Sequence, residues 1–218
     1  MIDKSISAVI FDLDGTLIDS KSVMQDAYIA AFNEVVGADK DPPPFSEYCK
    51  HLGCSFQEIL RRLNLPFEIQ SVFERESLSN IHRIRMFENI LPMLHCLAER
   101  NIPLAIATGK NNARSRKILE HLGIIDYFSR IVGSDDVSKP KPAPDMVLKI
   151  ISELNLYSTT TLFVGDQVAD ILCGQAAGVR TAIALWDESV TAVIENLADY
   201  NFEHPLQIIT LLDYGFYQ

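Results

Sequence analysis

Three short apolar runs, Ala8–Phe11, Leu104–Ala107 and residues 162–164, each stop abruptly on polar groups. The stops are Asp12-Leu13-Asp14-Gly15-Thr16, Thr108-Gly109-Lys110 and Gly165-Asp166-Gln167-Val168-Ala169-Asp170. Compact apolar runs bounded by turn residues read as buried strands. Further strand-like runs lie at Ile131-Val132 and at 181–185, and helical patterns at 91–100, 112–122, 145–154, 169–177 and 188–197 separate the strands. Strands that alternate with helices favour a parallel sheet covered on both faces. In such open sheets ligands bind beyond the carboxyl ends of the strands. The polar stops are therefore expected to meet at one crevice.

The first stop is the most telling of the three. Side chains alternate along an extended chain, so Asp12 and Asp14 project the same way. Paired acids at a strand end suit a hard cation such as Mg²⁺, and Gly15 and Thr16 add a turn and a hydroxyl donor beside them. A lone Asp-x-Asp also fits a plain acidic turn. The other stops decide against that, together with Lys139-Pro140-Lys141-Pro142-Ala143-Pro144-Asp145, a rigid basic turn that leads into the 145–154 helical pattern.

In order and rough spacing these four segments resemble the motifs of the haloacid dehalogenase-like hydrolase superfamily. The resemblance spans nearly the whole chain and is nearest to the phosphoglycolate phosphatase-like branch, given Asp-Gly-Thr-Leu-Ile-Asp-Ser over residues 14–20. It implies an α/β fold: a Rossmann-like parallel sheet with helices on both faces and an inserted all-helical cap subdomain. It also implies a Mg²⁺-dependent phosphatase that works through an aspartyl-phosphate. Asp12 would be the nucleophile and Asp14 the acid and base. The metal would be held by the Asp12 carboxylate, the Asp14 backbone carbonyl and the Asp166 carboxylate. Asp170 would orient this shell or bind through water. Thr108, Gly109 and Lys141 would hold the phosphate. Lys141-Pro142-Ala143-Pro144 stands nearer the helix than Lys139-Pro140, which selects Lys141 over Lys139. Thr108 also fits a helix cap, Asp170 a helix-start acid, and Lys110 a solvated loop charge.

Residues 19–83 carry helical periodicity with no strand of note and read as the cap, leaving 1–18 and 84–218 as the catalytic core. Ser20 or Asp19 can cap a first helix that stops at Gly37. Ser46 is expected to cap a short helix ending at Gly53. Ser55 with Glu58 forms a capping-box pattern opening a helix through Leu63, and a last helical run covers about 67–85. By resemblance, the turn carrying Tyr48, His51, Gly53, Cys54 and Ser55 faces the substrate. His51, Gly53 and Ser55 are the candidate contacts.

A chain of 218 residues suits one domain with an insertion. The formal charge of −10 argues against non-specific nucleic-acid binding, which needs a basic face. No apolar stretch reaches the ~18 residues of a membrane span, and Met1-Ile2-Asp3-Lys4 lacks a signal-peptide pattern. Cys49, Cys54, Cys96 and Cys173 show neither metal nor disulfide spacing, in keeping with a reducing cytoplasm. The expected partner is a small phosphorylated metabolite, phosphoglycolate-like or a sugar phosphate, with no nucleic acid or membrane, and the chain is read as a monomer or homodimer. Within the resemblance, haloacid dehalogenases lack an acid at position 14 and ion-pumping relatives carry threonine there, so Asp14 favours ester hydrolysis. A phosphosugar mutase is the alternative enzyme, although such mutases often place Glu-Asp where this chain has Gly165-Asp166. A non-catalytic binding module on the same fold is the second alternative, disfavoured because every catalytic position is filled.

Overall fold

The computed structural model describes residues 6–187 and 197–214. Six strands form the main sheet: β1 (Ala8–Phe11), β4 (Leu104–Ala107), β5 (Arg130–Val132), β6 (Thr161–Gly165), β7 (Arg180–Ala184) and β8 (Tyr200–Phe202). Their order is β5-β4-β1-β6-β7-β8, and every neighbouring pair is parallel. Strand β1 is central, with Phe11 level with Ile106 on one side and Val164 on the other.

The sheet buries both faces, and the alternation along each strand divides the core accordingly. Val9, Phe11, Leu104, Ile106, Leu162 and Val164 pack on one side. They meet α5 (Ile90–Glu99), α6 (Asn112–His121) and α9 (Gln207–Tyr214) through Met93, Leu94, Leu97, Ile118, Leu119 and Ile208. Ile10, Ala105, Ala107 and Phe163 point the other way. They meet α7 (Asp145–Leu154) and α8 (Val168–Ala177) through Met146, Val147, Ile150 and Cys173. Each fully buried Leu, Ile or Phe of this kind contributes about 1.5–3 kcal/mol. The helix expected over 188–197 falls, but for its last residue, outside the described residues. No helix among the described residues is long and apolar enough to cross a membrane.

Between β1 and α5 the chain forms α1 (Lys21–Val35), α2 (Phe45–Cys49), α3 (Phe56–Arg62) and α4 (Ile69–Ser79). These helices build a core of their own from Met24, Tyr28, Phe32, Tyr48, Leu60, Val72 and Phe73, which also takes in Ala169 of α8. Phe56 and Phe73 stack at 4.2 Å between centroids, and Phe45 and Tyr48 at 5.1 Å. The chain leaves and rejoins the sheet through two short strands, β2 (Ile18–Asp19) and β3 (Arg85–Met86), which pair antiparallel.

Three local expectations are corrected. Ser46 does not cap α2; it lies inside that helix, which starts after Pro44, where the fixed φ of proline suits a helix start. The helical run over 67–85 ends earlier, at Ser79, and is followed by a 3₁₀ turn (Ile81–Arg83) and then β3. Of the two residues offered for the start of α1, Ser20 makes no side-chain cap bond, its hydroxyl donating to Asp14, while Asp19 Oδ1 accepts the Lys21 amide at 3.1 Å. Ser55 does cap α3, its Oγ accepting the Glu58 amide at 3.3 Å, while the Glu58 carboxylate turns to Arg61 and Arg62.

Candidate active site

The carboxyl ends of β1, β4 and β6 bring the three polar stops together. The Asp12 amide continues the sheet pairing, donating to the Val164 carbonyl at 2.8 Å. The chain then turns tightly, with the Leu17 and Ile18 amides donating to the Leu13 carbonyl and the Gly15 amide to Ile18. Gly15 adopts φ +78°, and a Cβ there would lie 2.3 Å from Asp166 Oδ2. Only glycine permits both the left-handed backbone and this approach. Thr16 Oγ1 donates to Asp166 Oδ1 at 3.2 Å.

Lys141 is the hub. Its side chain is fully buried, and Nζ donates to Asp12 Oδ1 and Asp170 Oδ1, both at 2.6 Å, and to the Ala107 carbonyl at 3.1 Å. Lys139, by contrast, is exposed. Asp170 serves two elements at once, because its Oδ2 accepts the Gln167 amide at 3.0 Å at the start of α8. The helix-start reading and the orienting reading of Asp170 therefore describe one residue. Removing one partner from a buried network of this kind costs about 3–5 kcal/mol, since it strands the remaining charge.

The donor set suits a hard cation. Asp12, Asp166 and Asp170 each bring a carboxylate oxygen to within 4.8 Å of the others, and all three are buried. Three carboxylates against one ammonium leave an excess of negative charge. The strain shows in the carboxyls themselves. Burial, and after it the charge of Asp170, hold Asp12 up at about 7 despite the opposing pull of Lys141. Burial and the neighbouring acids raise Asp166 well above the usual carboxylate range. A small divalent ion held by oxygens relieves this stress. Asp170 has both oxygens engaged by protein donors, the Lys141 ammonium and the Gln167 amide.

Asp14 stands apart from that cluster. Its carboxylate accepts from the Ser20 hydroxyl and from the Lys110 ammonium. Burial opposes its charge, but Lys110 and then Ser20 outweigh burial and hold the carboxyl below the usual range. Lys110 is thus no solvated loop charge; it is 7% exposed and closed in beneath the helical insertion. Thr108 is fully buried, its amide donates to the Val132 carbonyl at 3.0 Å, and its Oγ1 accepts the Lys110 amide.

Above these groups lies a cavity of about 360 Å³, walled by the sheet ends below and the insertion above. Asp12, Asp14, Thr108, Gly109 and Lys110 line its floor; Tyr48, Gly53, Cys54, Ser55 and Phe73 line its roof. His51 does not face it. That residue is half-buried outside the cavity lining, with Nδ1 3.4 Å from Arg62 Nη1. The sequence reading did not pick out Arg114 of α6, which is 6% exposed and lines the cavity. It also missed the Gln167 side chain, whose Nε2 donates to Asp166. The spacing of Arg114 four residues past Lys110 was a usable signal, because it puts both near one end of α6.

Residues 9–184 match the family described as haloacid dehalogenase-like hydrolase. The chain is 31% identical to a phosphoglycolate phosphatase of Aquifex aeolicus, over 94% of this chain and 96% of that protein. It is 30% identical to the pyrophosphatase PpaX of Oceanobacillus iheyensis, over 97% and 99%. Among solved structures, a hydrolase from Pseudomonas syringae matches with a TM-score of 0.81 at 25% identity, covering 95% of this chain and 98% of that one. A haloacid dehalogenase-like family protein from Streptococcus pneumoniae shares the fold, with a TM-score of 0.74 at 24% identity over 95% and 99%.

Proposed function

The chain belongs to the haloacid dehalogenase-like hydrolase family, and from that premise we propose that it is a Mg²⁺-dependent phosphatase of a small phosphorylated metabolite. The observation that carries this reading is the buried cluster of Asp12, Asp166 and Asp170, with Lys141 bonded to Asp12 and Asp170, set so that Asp12 opens onto the floor of the cavity. The relatives named phosphoglycolate phosphatase and pyrophosphatase support a small phosphate compound as substrate.

In this reading Asp12 attacks phosphorus and forms an aspartyl-phosphate, splitting the hydrolysis into two displacements. A carboxylate approaching a phosphate dianion meets repulsion of roughly 4 kcal/mol per charge pair at 4 Å and an effective dielectric of about 20. Mg²⁺ held by the Asp12 and Asp166 carboxylates and the Asp14 backbone carbonyl offsets that charge when bound. Lys141, already on Asp12 Oδ1, fixes the orientation of the nucleophile and neutralises part of the charge. The Thr108 hydroxyl and the Gly109 amide hold the phosphoryl oxygens as charge moves. The negative charge of a bound phosphate opposes the pull of Lys110 and favours protonated Asp14, which gives that proton to the leaving oxygen and then takes one from the water that releases phosphate. The insertion acts as a cap that excludes bulk water from the cavity during transfer, and Gly53 and Ser55 in its turn contact the substrate. Gly165 ahead of Asp166, in place of glutamate, supports hydrolysis over phosphosugar transfer.

Asp12→Asn tests the nucleophile. The change keeps size and hydrogen bonding to Lys141 while removing the attacking charge. Turnover of a chromogenic phosphomonoester in Mg²⁺ should fall by at least about 10³-fold with the fold intact by circular dichroism. Activity within tenfold of wild type on a folded sample would sink the assignment.

A further inference from the structure

Arg114 is the one charged side chain of the cavity, among the described residues, that makes no hydrogen bond; Asp14 and Glu74 act on it only through their charge. It sits in the first turn of α6, where Asn111 Oδ1 accepts its amide at 2.8 Å. The guanidinium lies over the Phe73 ring, 4.9 Å from the centroid, on the boundary between sheet and insertion. It makes no ion pair and no side-chain hydrogen bond among the described residues, and its Nε is sealed from solvent without an acceptor. A guanidinium carries five donors and no acceptor, so burying it unmatched is costly unless something else supplies oxygens.

Asp14 and Glu74 attract the guanidinium, but neither carboxylate is hydrogen-bonded to it, and the acids around the cavity are turned to other donors. Asp14 is taken by Ser20 and Lys110, and Asp12 by Lys141. Glu74 Oε1 accepts from Gln70 at 2.9 Å and from Asn111 at 2.8 Å. Asp135 accepts the Asn112 amide at 2.8 Å. Arg114 and the Asp12–Thr108 floor line the same small cavity. One molecule spanning it meets both.

We propose that Arg114 is a specificity-determining residue that binds a second anionic group on the substrate. The substrate class is then a short phosphate compound ending in a carboxylate or a second phosphate. Either group matches the planar fork of a guanidinium, and a neutral tail does not. This inference rests on the phosphatase reading and narrows it.

The test compares kcat/KM for 2-phosphoglycolate, pyrophosphate and ethyl phosphate in the wild type, Arg114→Gln and Arg114→Lys. Ethyl phosphate keeps the ester and replaces the carboxylate by a methyl. In Arg114→Gln, kcat/KM for the preferred doubly anionic substrate should fall about 100-fold, chiefly through KM, as expected when one partner of a buried charged contact is lost. Ethyl phosphate should change by less than about threefold. Arg114→Lys should recover part of the loss by restoring the charge. Which of the two anionic substrates falls identifies the second group as carboxylate or phosphate. Equal losses on all three compounds would mean that Arg114 only supports the cavity wall through Phe73, and would overturn the proposal. If the wild type hydrolyses none of them, the phosphatase reading fails, and titration calorimetry of the same compounds judges Arg114 alone. A binding preference for the anionic compounds over ethyl phosphate that disappears in Arg114→Gln supports the assignment. No such preference in the wild type overturns it.

Discussion

Asp14 and Asp12 are two residues apart and face opposite electrostatic conditions. Asp12 carries the excess negative charge of the cluster and is pushed up to about 7, whereas Asp14 is held down by Lys110 and Ser20. This split belongs to the site without cation and substrate and runs opposite to the proposed roles, since a nucleophile must be ionised and a general acid protonated. A cation against Asp12 and a phosphate dianion beside Asp14 each push the other way. For the proposed base role, a lowered carboxyl keeps Asp14 ionised, and so able to accept a proton, well into the acid range. Lys110→Met removes the cation while leaving burial in place, so the Asp14 carboxyl rises. The acid limb of the kcat profile should then move to higher pH, with more rate lost at pH 5 than at pH 8. Lys110→Arg should return the limb toward its original position. An unmoved limb in Lys110→Met would mean that Lys110 does not govern the base. The role of Lys110 was not legible in the sequence for a physical reason. It follows Thr108-Gly109 in a loop, and its ammonium is taken up by Asp14 and lies 3.9 Å from Met24 Sδ, partners more than eighty residues earlier that no local pattern reveals.

The insertion turn meets the loop after β4 at close range. A Cβ at Gly109 would lie 2.4 Å from the Cys54 carbonyl oxygen and 3.0 Å from that of Gly53. These are backbone atoms of the roof, so a methyl group there must move the turn. The Gly109 backbone is not left-handed, so the cost of alanine lies in this clash and not in its own dihedrals. Gly109→Ala should therefore destabilise the fold by about 1–3 kcal/mol, the scale of an overpacked contact. It should lower kcat/KM by about 10–100-fold, the scale on which a displacement of about 1 Å acts on a catalytic geometry. An unaltered kcat/KM would show that the turn stands clear of Gly109 during turnover. The elements themselves were largely readable. The 145–154 helix matches α7 end for end, and the runs at 8–11 and 104–107 match β1 and β4. The failures lie where local pattern gives way to long-range pairing. Arg85-Met86 becomes a strand only because Ile18-Asp19 is there to receive it, and Ser20 forgoes its helix cap for a carboxylate six residues earlier.

Across the whole molecule, the site sets a balance between function and stability. Four motifs drawn from positions 12 to 170 converge because parallel strands present their carboxyl ends on one edge, which is why the sequence could assemble the floor of the site. The roof depends on how the insertion packs, and periodicity alone could not tell Gly53 and Ser55, which line the cavity, from His51, which does not. Gathering buried acids without their cation has a measurable consequence. Asp12 and Asp166 both titrate above their unfolded values, so between roughly pH 4 and pH 7 the metal-free folded state holds more protons than the unfolded chain. Stability must then fall as pH rises through that window, because the unfolded state releases those protons more readily. Melting temperatures in chelator should accordingly drop from pH 5 to pH 8. Under the proposed reading Mg²⁺ would bind the deprotonated cluster, so its stabilisation should be larger at pH 8 than at pH 5. Asp166→Asn removes one of the two raised carboxyls and should flatten the chelator curve while weakening the Mg²⁺ effect. A metal-free protein whose melting temperature rises over this window, with the same slope in Asp166→Asn, would refute a strained acidic cluster at the site.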